Sequence, residues 1–491
     1  MIHGRLAPTS LLLGAIFTMG GLLACEGDGP AWPDDPSADD DTSASGDDDG
    51  TPGGDDDDDG TPGDDDDDDA VISLEADLIP SEVISTVGTV VWPVIEGATD
   101  AYAEFGRDGE PAVAAPAQEV DGEYRAVLFG LKPDTEYQVR AMVEVDDQLH
   151  ASPDILFHTG YQGAMVPGNM SVTWDPERST DGYFVTMLLG ADVATVVLDE
   201  DYDPVWWYSV DVGDAIVLRS QLSRDRQSML IQGNEVLWRV SIDGETAEEL
   251  PIPSHHDFLE LPDGTIAALV YDEQLVDGVN VMGDQIIEYS PSGETRGVWS
   301  TFDTFEYDPA APVDFPDAHL GWSHANVLRY DSERDQYAVS VRNFHTIVVL
   351  DRETGEKLYC IGGDSTDVTT STGDHRLFYG QHGFQLLPDG IVVYDNGSPE
   401  RMSTMVVEYD LDLDAHLAEV RSVYQPDPPL YNIAGGDVTR LESGNTLVTW
   451  SFLGRIEEVS ADGFVVAQLQ LPLGGGFGYV KWVEDLYSPA H

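Results

Sequence analysis

The stretch TIVVLDRETGEKLYCI (Thr346–Ile361) consists of two short apolar runs on either side of a polar turn that holds acidic residues and a glycine. Such a pattern predicts two antiparallel strands joined by a tight turn. Units of the same form begin at residues 194, 236, 285, 346, 405 and 455. A repeat of roughly 40–60 residues matches the length of one four-stranded blade of a β-propeller, so the copies predict a ring of six blades.

A second hairpin lies between successive copies and is clearest in the later blades. Its sequences are HDFLELPDGTIAALV, HANVLRYDSERDQYAVSV, HGFQLLPDGIVVY and GDVTRLESGNTLVTW, which begin at residues 256, 324, 382 and 436. Each blade is therefore predicted to be an inner hairpin followed by an outer one, and the propeller is predicted to span 161–491. A parallel β-helix, the alternative fold, would have shorter and more uniform repeats.

The segment 71–160 is predicted to be a separate domain of short alternating strands, among them TVVWPV, EYRAVLFGL and TEYQVRAMVEV. Helical signals are nearly absent from the chain, so the predicted fold class is all-β, a six-bladed β-propeller preceded by a small β-sandwich. In LKPDTEYQVRA the segment resembles fibronectin type III domains. There, a tyrosine like Tyr137 caps the start of a late strand and a tryptophan like Trp92 lies in an early core strand.

The N-terminus has the pattern of an export signal. Arg5 precedes the apolar run LLLGAIFTMGGLLA, and LLAC ends at Cys25. A small residue before such a cysteine resembles the bacterial lipobox, so 1–24 is predicted to be a lipoprotein signal peptide and Cys25 the lipidated residue. The protein is then expected to be exported and held by its lipid at the outer membrane, on the periplasmic face or the cell surface. An ordinary secretory signal followed by a chance cysteine is the alternative.

The chain is strongly acidic, with a net charge of −71. Part of this charge lies in 25–70, an Asp-rich tract with no apolar content to bury, which is predicted to be a disordered linker. Calcium binding by the tract is the alternative, because carboxylates suit hard cations. Binding of nucleic acid is not expected, since it requires patches of Lys and Arg. After Cys25 only Cys360 remains, which excludes an intramolecular disulfide and predicts a buried apolar role for Cys360.

Histidines open three consecutive inner hairpins, at His256, His324 and His382, whereas the fourth copy has Gly436 there. Equivalent positions in radially arranged blades converge on the axis, so the imidazoles should ring one end of the central channel. Antiparallel pairing about the turns should place Arg342 opposite His324, and Asn396 opposite His382. A guanidinium offers a rigid fork of donors to a tetrahedral oxyanion, and an imidazole can donate, accept a proton or attack. The pattern therefore predicts a basic anion site at the channel mouth.

Two other functions fit parts of this pattern. Three imidazoles suit zinc or copper, although the neighbouring Arg342 would repel a cation, so no metal and no cofactor is predicted. A non-catalytic binding propeller, presented on the surface by its lipid anchor, is the alternative that involves no chemistry.

The segments HHDFLELPDG, SHANVLRYD, GEKLYCIGGD and QHGFQLLPDGIVVYDNG resemble the bacterial arylsulfotransferase family, over about residues 160–491. The resemblance implies a six-bladed propeller that passes a sulfuryl group from an aryl sulfate donor to a phenolic acceptor, without a nucleotide donor. The cysteine pair that some members have near the site is missing here.

Carried over residue by residue, the resemblance implies that His382 is the nucleophile and that His324, Asn326 and Arg342 hold the sulfate. One of His255 and His256 matches the remaining channel histidine, and the register favours His256. The other, His255, is expected to contribute to substrate binding, as is Asn396. Gln381 and Asn396 are expected to lie close enough to His382 to orient its ring.

Overall fold

The computed structural model describes residues 72–190, 192–213, 217–234, 236–309 and 321–488. The predicted signal peptide, the lipidation residue Cys25 and the acidic linker 25–70 therefore lie outside the described residues. Among the described residues, no helix is long and apolar enough to cross a membrane.

The first nine strands of the described chain form the two sheets of a β-sandwich. They are β1 (Asp77–Pro80), β2 (Gly88–Pro93), β3 (Ala98–Gly106), β4 (Val113–Pro116), β5 (Gln118–Val120), β6 (Glu123–Leu128), β7 (Glu136–Val145), β8 (Gln148–Ala151) and β9 (Ile155–His158). One sheet has the order β1-β2-β6-β5 and the other β4-β3-β7-β8, with β9 also paired to β7. Trp92 and Tyr137 lie in the core between the sheets, and the Tyr137 hydroxyl accepts a hydrogen bond from the backbone N–H of Lys132 at 2.9 Å.

The remaining strands build the propeller. The first half contains β10 (Ser171–Trp174), β11 (Tyr183–Leu189), β12 (Ala194–Leu198), β13 (Pro204–Tyr208), β14 (Ser220–Leu222), β15 (Ser228–Gln232), β16 (Leu237–Ser241), β17 (Ala247–Leu250), β18 (Phe258–Glu260), β19 (Ile266–Val276), β20 (Val279–Tyr289) and β21 (Thr295–Ser300). A short helix, α1 (Thr301–Thr304), follows β21.

The second half contains β22 (Ala325–Asp331), β23 (Gln336–Val341), β24 (Thr346–Asp351), β25 (Lys357–Ile361), β26 (Phe384–Leu387), β27 (Gly390–Asp395), β28 (Met405–Asp412), β29 (Leu417–Tyr424), β30 (Asp437–Arg440), β31 (Thr446–Trp450), β32 (Arg455–Val459), β33 (Val465–Gln470), β34 (Gly476–Phe477) and β35 (Lys481–Val483). Turns of 3₁₀ helix occupy Arg342–Phe344 and Ser451–Leu453.

These strands form six antiparallel sheets, one for each blade, which confirms the predicted fold class. Blades 2 to 5 are β14–β17, β18–β21, β22–β25 and β26–β29, each in simple chain order. Their outer hairpins are the recurring units of the sequence, and their inner hairpins are the intervening ones. Many of the strands are buried on both faces, as in β12 and β24, because each blade packs between two others. Cys360 is buried in one of these inter-blade cores, as predicted.

The ends of the propeller close the ring. Blade 6 is β30–β33 with β10, from the start of the domain, added at its outer edge. Blade 1 is β11–β13, and its inner edge is filled by β34 and β35, from the end of the domain. Both edges that an open sheet would expose are thus paired within the chain.

A partly buried ion cluster joins the sandwich to blade 1. The ammonium of Lys132 lies 2.7, 2.8 and 2.7 Å from carboxylate oxygens of Asp199, Asp201 and Asp203. Partial burial of its side chain acts to lower the pKa of Lys132, but the hydrogen bonds that it donates to these three carboxylates raise the pKa above its ordinary value. The ammonium therefore stays charged, and it neutralises carboxylates that would otherwise repel one another.

The entrance to the inner strand of blade 6 requires glycine at position 436. Gly436 has a φ of 104°, and a Cβ there would lie 2.1 Å from the ring of the buried Tyr394. Because Gly436 has no side chain, the ring of Tyr394 in blade 5 packs directly against the loop that leads into blade 6. A histidine equivalent to those of blades 3 to 5 is therefore sterically excluded at this position.

We expect Gly436→Ala to lower the free energy of unfolding by about 3 kcal/mol, from the strained φ and the collision with Tyr394 together. The matched control is Gly463→Ala, because Gly463 also has a positive φ (85°) but no atom within 4 Å of its would-be Cβ. That variant should lose only about 1 kcal/mol. Urea unfolding of both variants measures the difference, and equal losses would show that Tyr394 does not crowd position 436.

Candidate active site

Three histidines lie at the entrances to the inner strands of neighbouring blades: His256 before β18, His324 before β22 and His382 before β26. The ring centroids of His256 and His324 are 5.0 Å apart, and those of His324 and His382 are 6.3 Å apart. All three side chains are buried. The structure thus brings together the imidazoles that the repeat pattern singled out.

Two of these histidines have a backbone conformation that L-residues seldom adopt. The angle φ is 57° at His256 and 55° at His324, in the left-handed region. Holding a residue with a Cβ there costs on the order of 1 kcal/mol or more. Such strain persists only where the surrounding structure enforces it. The loops that lead into blades 3 and 4 therefore hold these two residues in a fixed, unfavourable conformation.

The ring of His382 is held by hydrogen bonds at one nitrogen. Its Nδ1 lies 2.8 Å from Oδ1 of Asn396 and 3.2 Å from the carbonyl oxygen of Gly380. Both partners are oxygens that accept, so Nδ1 must carry the hydrogen and donate. The neutral ring then has its lone pair on Nε2.

The amide of Asn396 is itself fixed in orientation. Its Nδ2 donates to the carbonyl oxygens of Asn432 and Gly435, at 2.8 and 2.9 Å, which leaves Oδ1 to face His382. Sequence analysis placed Asn396 beside His382 through the hairpin register but did not identify Asn432 or Gly435. Both lie in YNIAGGD, the loop that leads into the inner strand of blade 6, equivalent to the loops that carry the histidines. That equivalence is the signal that could have found them.

Arg342 begins the 3₁₀ turn after β23, and its backbone N–H donates to the carbonyl oxygen of His324 at 3.1 Å. This pairing agrees with the predicted register. The side chain is buried, and its Nη1 donates to Oδ1 of Asn343 at 3.2 Å. A Cβ on Gly380 would lie 3.4 Å from Nη2, and Gly380 has a φ of 56°, so glycine there gives the guanidinium its space.

Two amide side chains have structural partners. Nδ2 of Asn326 donates to the carbonyl oxygen of Gln381 at 2.9 Å, linking blades 4 and 5, so at most one of its N–H bonds remains for a ligand. Gln381 was expected to help orient His382, and this expectation is wrong. Its Nε2 donates to Ser340 Oγ and to the carbonyl oxygens of Val341 and Thr346, at 3.0–3.3 Å, and so points into blade 4.

His255 lies beside His256, with 3.0 Å between their Nδ1 atoms. Its ring stacks on that of Tyr271, at a centroid distance of 4.1 Å and an interplanar angle of 17°. On its other edge, Nε2 lies 3.2 Å from Oδ1 of the buried Asp284, a residue that sequence analysis did not single out. Of the two adjacent histidines, His256 is the one whose ring neighbours His324.

Burial keeps the three imidazoles uncharged. Together with the guanidinium of Arg342, it lowers the pKa of His382 to about 3, although the hydrogen bonds to Asn396 and Gly380 act to raise it. The pKa values of His256 and His324 are also well below the ordinary value, chiefly through burial and then through each one's neighbouring imidazole and Arg342. The site thus combines one permanent cation with neutral imidazoles.

Two buried carboxylates, Asp257 after His256 and Asp437 after Gly436, are neutralised by arginines. Asp257 binds Arg219 and Arg329 at 2.7 and 3.0 Å, and Asp437 binds Arg329 and Arg219 at 2.7 and 3.5 Å. Two negative and two positive charges cancel within this network. Asp257 and Asp437 therefore add no net negative charge to the site, so they do not oppose the binding of an anion there.

Metal ligation requires donor atoms that converge. Among the described residues, the one group of three His, Cys, Asp or Glu side chains with ligand atoms within 4.8 Å of one another is Asp199, Asp201 and Asp203. That group surrounds the ammonium of Lys132. The donor geometry at the three histidines accordingly gives no support to the zinc or copper alternative.

The fold and the site define a six-bladed propeller with buried imidazoles and a guanidinium at one end of its inner strands. The family model for arylsulfotransferase (ASST) matches residues 178–462, which is more than half of the chain. The protein belongs to the arylsulfotransferase family. Membership supports an aryl sulfotransferase activity in general.

Other comparisons are remote. None of the curated proteins compared matches this chain significantly. Among solved structures, the chain is similar to a streptogramin B lyase (12% identity, TM-score 0.34, 64% of this chain and 98% of that one). It is also similar to regucalcin, a calcium-binding protein from Agrobacterium tumefaciens (10% identity, TM-score 0.32, 52% of this chain and 75% of that one). Likenesses at these scores carry no argument about chemistry.

The lowered pKa of His382 predicts a loss of stability in acid. An unfolded histidine binds its proton near pH 6.5, whereas the folded His382 does so only near pH 3. Between these values the unfolded chain binds more protons, so stability falls as pH falls. From pH 7 to pH 5 this one group should cost about 2 kcal/mol.

Urea unfolding of wild type and of His382→Asn at both pH values measures this contribution. The variant should lose about 2 kcal/mol less than wild type over the same interval, because asparagine does not titrate there. An equal loss in the two proteins would mean that His382 is not held neutral by the fold.

Proposed function

We propose that this protein transfers a sulfuryl group from an aryl sulfate ester to a phenol, in two ping-pong steps through a covalent sulfohistidine on His382. No nucleotide donor and no cofactor takes part. One observation carries the proposal, namely that Nδ1 of His382 is committed as a donor to Asn396 and Gly380. The lone pair of the neutral ring is then on Nε2, in a fixed direction, as a nucleophile requires.

In the first step, Nε2 of His382 attacks the sulfur of the aryl sulfate. The N–S bond forms as the bond from sulfur to the aryl oxygen breaks, and the phenolate leaves with that electron pair. Phenolates are stable leaving groups, so the main task is to align the nucleophile and hold the equatorial oxygens, as in phosphoryl transfer. The guanidinium of Arg342 supplies positive charge for these oxygens, with His324 beside it.

In the second step, the oxygen of the acceptor phenol attacks the sulfur on His382. The S–O bond forms as the N–S bond breaks, and the electron pair returns to Nε2. An acceptor with a pKa of about 10 is mostly protonated at neutral pH, so a base must take its proton. His256 is the proposed base, because its ring is uncharged and lies 5.0 Å from that of His324.

The proposal predicts that p-nitrophenyl sulfate without an acceptor gives a burst of about one nitrophenol per protein, followed by stalling. Peptide mapping at alkaline pH should find the sulfuryl group on the peptide that contains GQHGFQLLPDG. Adding phenol should restart release, and a chelator should have no effect. His382→Asn should abolish burst and label together, whereas His158→Asn, a change of an exposed sandwich histidine, should preserve both.

Arg342→Lys keeps the positive charge but loses the paired N–H donors of the guanidinium. The burst should therefore slow by about 100-fold, while the sulfuryl label stays on His382. A label on another histidine would reassign the nucleophile. Steady release of nitrophenol without burst or label would contradict the covalent mechanism. Binding of the ester without any release would favour the non-catalytic propeller.

We also propose that the protein is an exported lipoprotein, anchored at the outer membrane through Cys25. The acidic tract 25–70 then acts as a spacer, and the sandwich is of the fibronectin III type. The strand orders β1-β2-β6 and β4-β3-β7-β8 are compatible with that type. The lipobox pattern LLAC supports the anchor.

Cys25→Ser should move the protein from the membrane fraction to the soluble fraction of cells. Its thermal unfolding should stay unchanged, because the first strand of the described residues begins at Asp77, far along the chain from Cys25. Fractionation and calorimetry of the two proteins check this. Full retention of the variant with membranes would rule out the lipid as the anchor.

A further inference from the structure

Asp284 is a buried carboxylate between the two adjacent histidines and the loop of His324. It lies on β20, where its backbone pairs with Tyr271, the residue that stacks on His255. Its Oδ2 accepts hydrogen bonds from Ser323 Oγ at 2.5 Å and from the backbone N–H of Ala325 at 2.7 Å. Its Oδ1 lies 3.2 Å from Nε2 of His255.

The contact between Asp284 and His255 joins two buried polar atoms. Neither Oδ1 of Asp284 nor Nε2 of His255 has a hydrogen-bond partner of good geometry among the described residues. Because the two atoms lie only 3.2 Å apart and buried polar groups are rarely left without a partner, each is the natural partner of the other. Since the carboxylate accepts, Nε2 of His255 carries the hydrogen.

This assignment sets the tautomer of His256. With its hydrogen on Nε2, a neutral His255 presents the lone pair of Nδ1. The Nδ1 atoms of His255 and His256 are 3.0 Å apart, so His256 must donate its Nδ1–H across that distance. The lone pair of His256 is then on Nε2, and no described residue forms a hydrogen bond with that atom.

We propose that Asp284 and His255 are positioning residues that fix His256 in the tautomer with a basic Nε2 and stabilise its imidazolium when it takes the proton of the acceptor phenol. This inference rests on the proposed function, in which His256 is the base of the second step. The phenol proton passes to Nε2 of His256 as the phenol oxygen attacks sulfur and the N–S bond to His382 breaks. The positive charge that forms on His256 is stabilised by the carboxylate of Asp284, through the hydrogen bonds that link the two rings to that carboxylate.

In the proposed relay the carboxylate acts against burial, which holds the pKa of His256 well below its ordinary value in the resting site. A buried imidazole without a counter-charge resists protonation, which would make it a poor proton acceptor at neutral pH. A carboxylate bonded to the far side of the imidazole is the arrangement by which serine hydrolases hold the tautomer and stabilise the imidazolium. Here one further imidazole, His255, separates the carboxylate from the base.

The test uses the full-length protein, with His382 first loaded from p-nitrophenyl sulfate and the acceptor added afterwards. In Asp284→Asn, the amide N–H faces Nε2 of His255, which reverses the tautomers of both histidines and leaves Nε2 of His256 protonated. We expect transfer to phenol to slow by about 100-fold. Transfer to pentafluorophenol, which is ionised at neutral pH and needs no base, should change less than about 5-fold, and the burst should be retained.

Two further variants guard against a purely structural effect. His255→Phe preserves the stacking on Tyr271 but breaks the relay, so it should slow transfer to phenol much more than transfer to pentafluorophenol. Asp199→Asn, which removes a buried carboxylate far from the histidines in the chain, should slow neither acceptor. Equal slowing of both acceptors by Asp284→Asn and His255→Phe, or no slowing of either, would overturn the relay.

A spectroscopic measurement tests the predicted tautomer of His256 independently of turnover. Nitrogen-15 NMR of histidine-labelled wild type should show the hydrogen of His256 on Nδ1, and Asp284→Asn should move it to Nε2. A hydrogen on Nε2 of His256 in wild type would refute the relay even in a fully active enzyme. Absence of burst and label from wild type would instead refute the covalent mechanism, whatever the tautomer of His256.

Discussion

The pairing of the two ends of the propeller is the constraint on which the rest of the structure depends. β10 closes the outer edge of blade 6, and β34 with β35 closes the inner edge of blade 1. Only a closed ring fixes the radial positions of all blades, and the candidate site is assembled from three of them. A displacement of one blade would separate imidazoles whose centroids are only 5.0 and 6.3 Å apart. Closure of the ring at blades 1 and 6 therefore helps to maintain the distances between the site residues of blades 3 to 5.

Within this frame, hydrogen bonds between neighbouring blades set the orientation of each ring. Asn396 in blade 5 is held by the loop of blade 6, and Asp284 in blade 3 bonds the loop of blade 4. Asn396 and Asp284, which lie beside His382 and His255, are thus each tied to a neighbouring blade. This reduces the freedom of the rings without filling the space between them, which a reacting group must occupy.

The sequence repeat allowed most of the fold and part of the candidate site to be predicted. Periodicity predicted the six blades and the equivalence of His256, His324 and His382, because strand period and blade length leave few arrangements. Hairpin register predicted the proximity of Asn396 to His382. The role of Gln381 was predicted wrongly, although it precedes His382 in the sequence. Neighbouring residues at the start of a strand can point into different blades, and sequence adjacency does not reveal this. Asp284 was missed because its role depends on contact with the preceding and following loops, which no local pattern encodes.

The Lys132 cluster gives the junction between sandwich and propeller a built-in counterion. Three aspartates spaced two residues apart are a ligand set that a free divalent cation would suit, and its occupancy would then follow the concentration of that ion in solution. An ammonium on the same polypeptide is always present at unit stoichiometry and cannot be chelated. In so acidic a chain, the contact between the sandwich and the propeller is therefore independent of the concentration of divalent cations in solution.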